Sequence, residues 1–350
     1  MIVGVGVDGR YGFSAAEQRE IARSAAAHGF GSLWTNAVTI PDAFHVCALW
    51  AQAAAGLGPG RGLRTGISVV NALSWKPQSL AGQAATVALA SAGQFTLGIG
   101  TGGAGVAQRP IATMADYLAV LRPLLRGEEV DYRGRTLEVD RFRVAGQFPR
   151  VPVYLAALGP QMLRLAGRAA DGAAMSFATP DEIGRAGAMV GEGARAAGRD
   201  RSEVALSMYI RVCVDEDVDL ARQAFATTVL GYALARPGVD KRLAYRGLFA
   251  RMGYGEVLSE LEARQERGEA IGELARRAPD EMLHAVGYFG PAPGAARRFA
   301  ELSAGLDETI VRYVAARPGI EPLLAAMDTL APGQVLAGPA SGDLRPGPRR

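Results

Sequence analysis

Residues 94–105 read QFTLGIGTGGAG. A strand-like run, 94–100, leads straight into a glycine-rich turn, and Gly98, Gly100 and Gly103 spell G-x-G-x-x-G. After a first strand, with a helix opening at once, that spacing marks a dinucleotide-binding fold, because free helix N–H groups then meet a pyrophosphate. Neither condition holds here. Three strand-like runs precede the motif, and the next helix opens only behind Pro110. No acidic residue ends a following strand about 20 residues on. A glycine-rich strand exit has another use: it lets backbone approach a flat ring or an anion at the mouth of a (β/α)8 barrel.

The flanking sequence repeats one rhythm, strand-like run then helix-like segment. Upstream, Ile2 to Val7 forms a short apolar run, and Ser14 with Glu17 makes a capping box for a helix that ends at His28 before Gly29. Strands are predicted at 31–36 and 63–70, and helices at 42–55 and from Pro77 to Ser91. Downstream, Ile111, Met114, Tyr117, Leu118 and Leu121 give helical spacing over 111–126, with Pro123 disturbing the last turn. A hairpin with Arg133-Gly134 at its turn follows over 128–144. Strands are then expected at 151–158, 171–177 and 203–214, separated by helices 160–170 and 180–198. An Arg- and Glu-rich stretch, 216–290, breaks the rhythm and reads as helical; a helix at 291–304, a strand at 308–315 and a helix at 319–330 complete an eighth unit. The predicted fold class is α/β, a (β/α)8 TIM barrel with a helical insertion after strand seven. Residues 1–330 make one domain, and the Pro- and Gly-rich residues 331–350 are expected to be a disordered tail.

Composition narrows function. Of 350 residues, 49% are hydrophobic and 21% charged, enough for a large core. The net charge of +3 comes in no basic block, so nucleic acid is not an expected partner. No apolar run is long enough for a membrane span, and the N-terminus reads as a strand rather than a signal peptide, which points to the cytoplasm. Cys47 and Cys213 match no metal spacing, and no metal site is expected. The expected partners are a small-molecule substrate and a second copy of the chain, the latter from Ala-rich helices 43–55 and 81–92.

AGQFTLGIGTG (92–102) and VPVYLAALGPQMLRLAGRAADG (151–172) resemble the strand-four and strand-five signatures of the luciferase-like monooxygenase superfamily. Both look most like its coenzyme F420-dependent branch, that of methylenetetrahydromethanopterin reductases and related dehydrogenases. GFGSLWTN (29–36) and RTGISVVNALSWKPQSLAGQAA (64–85) extend the resemblance to about residues 1–330. It implies an oxidoreductase that passes a hydride between the deazaflavin F420 and a small organic substrate. A monooxygenase using flavin mononucleotide (FMN), O2 and a partner reductase is the alternative, and a non-catalytic binding barrel the third reading. It also implies cofactor contacts: a strand-three bulge, often with a non-proline cis peptide, at Ile67, Ser68 and Val69; the strand-four exit at Thr101, Gly102 and Gly103; and the strand-five exit at Ala156, Ala157, Leu158 and Gly159. Independently of the resemblance, Gly159-Pro160 opens a helix whose free N–H groups suit an anion.

The chain departs from the family where acid–base chemistry sits. Ala37 and Val38 stand where several members carry an acidic residue and a His, and Gly103 where some carry Glu. None of the three histidines, His28, His45 and His284, falls at a strand exit. Polar exits are Asp8, Asn36, Asn71, Thr101, Ser176 and Arg211. Asp8 is the expected general acid or base and Asn36 the expected orienting group. Trp34, Leu73, Trp75 and Phe177 are expected to wall the substrate. A site so poor in acids suits reduction of an activated C=C or C=N bond.

Overall fold

A computed structural model describes residues 1–38, 40–57, 62–102, 109–236 and 238–337. Its strands are β1 (Ile2–Val7), β2 (Ser32–Thr35), β3 (Arg64–Asn71), β4 (Phe95–Gly100), β5 (Val130–Arg133), β6 (Glu138–Phe142), β7 (Val153–Ala156), β8 (Gly172–Ser176), β9 (Ala205–Val214), β10 (Gly287–Gly290) and β11 (Glu308–Tyr313). Eight of them close a parallel barrel in the order β9-β11-β1-β2-β3-β4-β7-β8, with β8 pairing back to β9. The glycine-rich stretch thus ends the fourth barrel strand, and the barrel reading holds. β5 and β6 form the expected antiparallel hairpin outside it. The Ser14–Glu17 capping box is present at the start of helix Ala15–Ala27.

Alternation along the strands explains closure. In β1, Val3, Val5 and Val7 face the helices, while Gly4 and Gly6 face the lumen, where a side chain would collide with Ser32 and Tyr209. The lumen is filled by Trp34, Tyr154, Tyr209 and Ile310. Gly66 lies against the Trp34 ring and Gly172 against Tyr154, so large residues on one strand meet glycine on the next. At the barrel floor the Trp34 indole N–H donates to Ser32 Oγ and to Glu308 Oε1, both at 2.9 Å, and Arg64 pairs with Glu308 at 2.5 Å.

Two expectations change. The insertion is not wholly helical: after helices between Val218 and Val286 it ends in β10, which adds in parallel to β9 from Gly287↔Arg211 onward. The reason is strand length. β8 stops opposite Tyr209, while β9 continues to Val214 and offers a free edge that β10 satisfies. The insertion also owns a core, built on Phe225, Phe249, Leu258 and Met282, which reaches the barrel through Phe177 and Cys213. The second change is at the tail, where Pro332–Leu336 forms a short helix with Val335 buried; residues 338–350 lie outside the described residues.

Helices Pro160–Ala169 and Pro180–Ala196 pack backbone against backbone. A Cβ on Gly167 would fall on the Val190 carbonyl, and one on Gly193 on the Arg164 carbonyl. Neither obstacle is a flexible side-chain end, so Gly167→Ala is expected to destabilise the protein by about 1–3 kcal/mol. Thermal unfolding checks this; an unchanged Tm would show that the two helices part without penalty.

Candidate functional site

A cavity of about 650 Å³ opens at the C-terminal ends of the barrel strands. That end collects function in such barrels because loops there vary while the strands beneath stay fixed.

One wall is made of small residues. In β3 the register slips between Ile67 and Val70, and the Ser68–Val69 peptide is cis. Ser68 and Val69 line the cavity; Ile67 is fully buried behind them. Gly100, Thr101 and Gly102 follow from β4. Gly102 has φ +75°, and a Cβ on it would meet the Asn71 amide at 2.7 Å, so backbone angle and space both demand glycine. Ala156, Ala157, Leu158 and Gly159 follow from β7. Gly159 caps helix Pro160–Ala169 with no side-chain hydrogen bond to the helix, and a Cβ there would meet nothing within 4 Å. Of the expected cofactor contacts, Gly103 lies outside the described residues.

The other wall is polar. Asn36, Ser176, Tyr209, Arg211 and Arg312 line it, and Tyr232 and Tyr245 reach over from the insertion. Arg211 Nη1 donates to Ser176 Oγ at 2.7 Å, and its guanidinium lies 3.6 Å from the Phe177 ring centroid and 4.7 Å from that of Tyr232. Burial pushes the Arg211 pKa down. Arg312 Nη2 donates to Asp8 Oδ2 at 2.7 Å and to Asn36 Oδ1 at 3.1 Å. The insertion is tied to the opposite wall by Arg251, whose guanidinium donates to the Leu158 carbonyl at 3.1 Å.

The structure separates the expected acid or base, Asp8, from the expected orienting group, Asn36: Asn36 lines the cavity and Asp8 does not. Asp8 accepts from Arg10 and Arg312 and is 7% exposed. Burial alone would raise its pKa, but the Arg10 hydrogen bonds and the Arg312 charge outweigh burial and hold the carboxyl well below the usual carboxylate range. With both oxygens accepting from arginines and no face on the cavity, Asp8 is placed to hold Arg312. Asn36 does reach the cavity, with its amide oxygen taken by Gly9 N–H and Arg312.

The expected aromatic wall is also displaced. Trp34 points down into the lumen, Phe177 is buried beneath Arg211, and Leu73 and Trp75 line a separate groove beside the β5–β6 hairpin. Sequence reading passed over Arg312, Tyr209 and Tyr232. Arg312 carried a signal, being a charge two residues beyond Ile310 on the Glu308–Ile310–Arg312 face of a buried strand. Tyr232 carried none, because only folding of the insertion brings it to the mouth.

Residues 3–308 match the family model described as luciferase-like monooxygenase. The chain belongs to that family. A 5,10-methylenetetrahydromethanopterin reductase of Methanolobus tindarius is 26% identical over 307 residues, 85% of this chain and 89% of that one. An F420-dependent glucose-6-phosphate dehydrogenase of Rhodococcus jostii (strain RHA1) is 31% identical over 45% of this chain and 52% of its own. The solved coenzyme F420-dependent tetrahydromethanopterin reductase of Methanopyrus kandleri superposes with a TM-score of 0.72 at 20% identity, over 96% of this chain and 98% of that one. The resemblance read from residues 92–102 and 151–172 is thereby borne out. Among the described residues, no helix is long and apolar enough to cross a membrane.

Proposed function

We propose that the chain is an F420-dependent oxidoreductase that transfers a hydride between the deazaflavin and a small organic substrate, reducing an activated C=C or C=N bond. One observation carries the reading: the Ser68–Val69 bulge and the glycine- and alanine-lined exits of β4 and β7 line one cavity at the barrel mouth. These residues fit the cofactor. Ser68, Val69, Gly100 and Ala156 present little side-chain bulk to the cavity, which suits a planar ring, and the uncapped helix end at Gly159 leaves room and N–H donors for a phosphate. Bound there, the deazaflavin supplies a hydride from its ring.

The chain's own residues position the substrate and move a proton. Asn36, Arg211 and Arg312 offer donors opposite the small-residue wall. Tyr232 is the group suited to give a proton from its Oη. Burial alone would raise its pKa, yet the charges of Arg211, Arg312 and Arg10 bring it below the ordinary phenol value. Tyr232→Phe is expected to lower kcat about 10²-fold or more while leaving the cofactor Kd unchanged. An unchanged kcat in stopped-flow assays of reduced F420 would remove Tyr232 from proton transfer.

Absorbance titration with F420 and with FMN, followed by mixing reduced F420 with enones and imines, tests the function. Tight F420 binding with oxidation of the reduced form supports it. FMN binding with oxygen uptake would favour a monooxygenase, and binding without turnover a non-catalytic barrel.

A further inference from the structure

We infer that the cavity takes a small organic acid, held through its oxyanion by Arg211 and Arg312. This rests on the reading that the β3–β4–β7 wall seats the cofactor, which leaves the β8–β9–β11 wall to the substrate.

The two arginines are register neighbours on adjacent strands, Arg312 opposite Arg211, and both face the cavity. Each is 5% exposed. Arginine is almost never so buried without a counter-charge. Here Arg312 shares its carboxylate, Asp8, with the largely exposed Arg10, and among the described residues no carboxylate pairs with Arg211. Among the described residues, Asp240, which lines the cavity, pairs with Arg242, and Glu308 at the barrel floor pairs with Arg64. Among the described residues, the Arg211 guanidinium bonds to a neutral hydroxyl, Ser176 Oγ, and lies against aromatic faces. Arg312 Nη1 is buried with no hydrogen-bond partner among the described residues.

These features suit a ligand rather than fold stability. Asp8 and Asn36 fix Arg312 through one nitrogen and leave the other uncommitted. The faces of Phe177 and Tyr232, which also touch each other, lie against the Arg211 guanidinium without neutralising its charge. A guanidinium held in one orientation with free N–H groups matches an oxyanion by charge-assisted hydrogen bonds, and a carboxylate is the smallest planar partner for it. A phosphate monoester shares the charge and the acceptor oxygens, and the test separates the two.

The experiment measures binding of benzoate, benzamide and phenyl phosphate by calorimetry, to the protein alone and to the protein loaded with F420. Benzoate is expected to bind and benzamide, its neutral counterpart, to bind at least about tenfold more weakly. Tighter binding of phenyl phosphate than benzoate would identify a phosphate ester as the substrate group and overturn the carboxylate assignment. Arg211→Met is expected to weaken benzoate by about 10- to 100-fold and to leave F420 affinity within about threefold, with Arg211→Lys restoring part of the loss. Equal binding of benzoate and benzamide to the unaltered protein overturns the inference, whether or not the variants fold. So does loss of F420 rather than benzoate in Arg211→Met, which would assign the guanidinium to the cofactor. If F420 fails to bind while benzoate binds through Arg211, the oxyanion site stands and the cofactor reading falls.

Discussion

Gly159→Asp is expected to abolish F420 binding while leaving the melting temperature unchanged or slightly raised. The two halves of this result have separate causes. Gly159 has φ −116° and ψ 162°, ordinary extended angles that aspartate adopts without strain. A side chain there meets nothing within 4 Å, so the fold has room for it. The position is the N-cap of a ten-residue helix that no side chain now caps, and aspartate is among the preferred N-caps. Its carboxylate would accept from the first free N–H groups and gain from the helix dipole, by about 0.5–1 kcal/mol. The same carboxylate would take the donors a cofactor phosphate needs and repel that phosphate. A loss of at least 10²-fold in affinity is therefore expected by absorbance titration. A well-folded Gly159→Asp protein with unaltered F420 affinity would place the cofactor's anionic tail elsewhere.

Asp8→Asn is expected to lower stability at neutral pH by about 3 kcal/mol, with a Tm fall of roughly 4 °C. The substitution leaves Arg312, 5% exposed, without its carboxylate and beside the already uncompensated Arg211. Removing one partner of a buried ion pair costs more than the pair contributes, because the surviving charge stays out of water. The pH dependence has a fixed sign. The pKa of Asp8 is lower folded than unfolded, so its contribution is present above the unfolded value, about 3.9, and is lost as pH falls toward the folded value. The gap between wild type and Asp8→Asn should be constant from pH 8 to 5 and narrow below about pH 4. If Asp8 instead served as the reaction's acid or base, Asp8→Asn would erase a limb of the kcat–pH profile near neutrality. Adding Arg312→Met should recover part of the lost stability, since the double variant buries no unpaired charge at that position.

Local sequence fixed much of the architecture. Valine and glycine alternate in Ile2–Val7 because one face meets helices and the other meets bulky lumen side chains. The Ser14–Glu17 box and Gly159-Pro160 place helix starts through contacts within one turn. Ser68, Val69, Thr101, Gly102 and Ala156 to Gly159 were legible as a group through family resemblance, and they do share one cavity. Each of these features depends on neighbours close in the chain, or on a pattern the chain repeats.

What the sequence left open depends on partners far apart in it. Asp8 reads as a free rim carboxylate until Arg312, 304 residues away, is seen to hold it. Trp34 reads as a mouth residue until Glu308, 274 positions on, accepts its indole N–H at the barrel floor. The insertion gives no periodic sign that Tyr232 returns to the mouth, or that β10 extends the sheet beside β9. Strand order and helix starts are set by local chemistry and apolar alternation, which a sequence displays directly. The charge state of a carboxylate, the direction of an indole and the counter-charge missing at Arg211 are set by which distant side chains barrel closure brings within a few ångströms, and only the tertiary structure decided those.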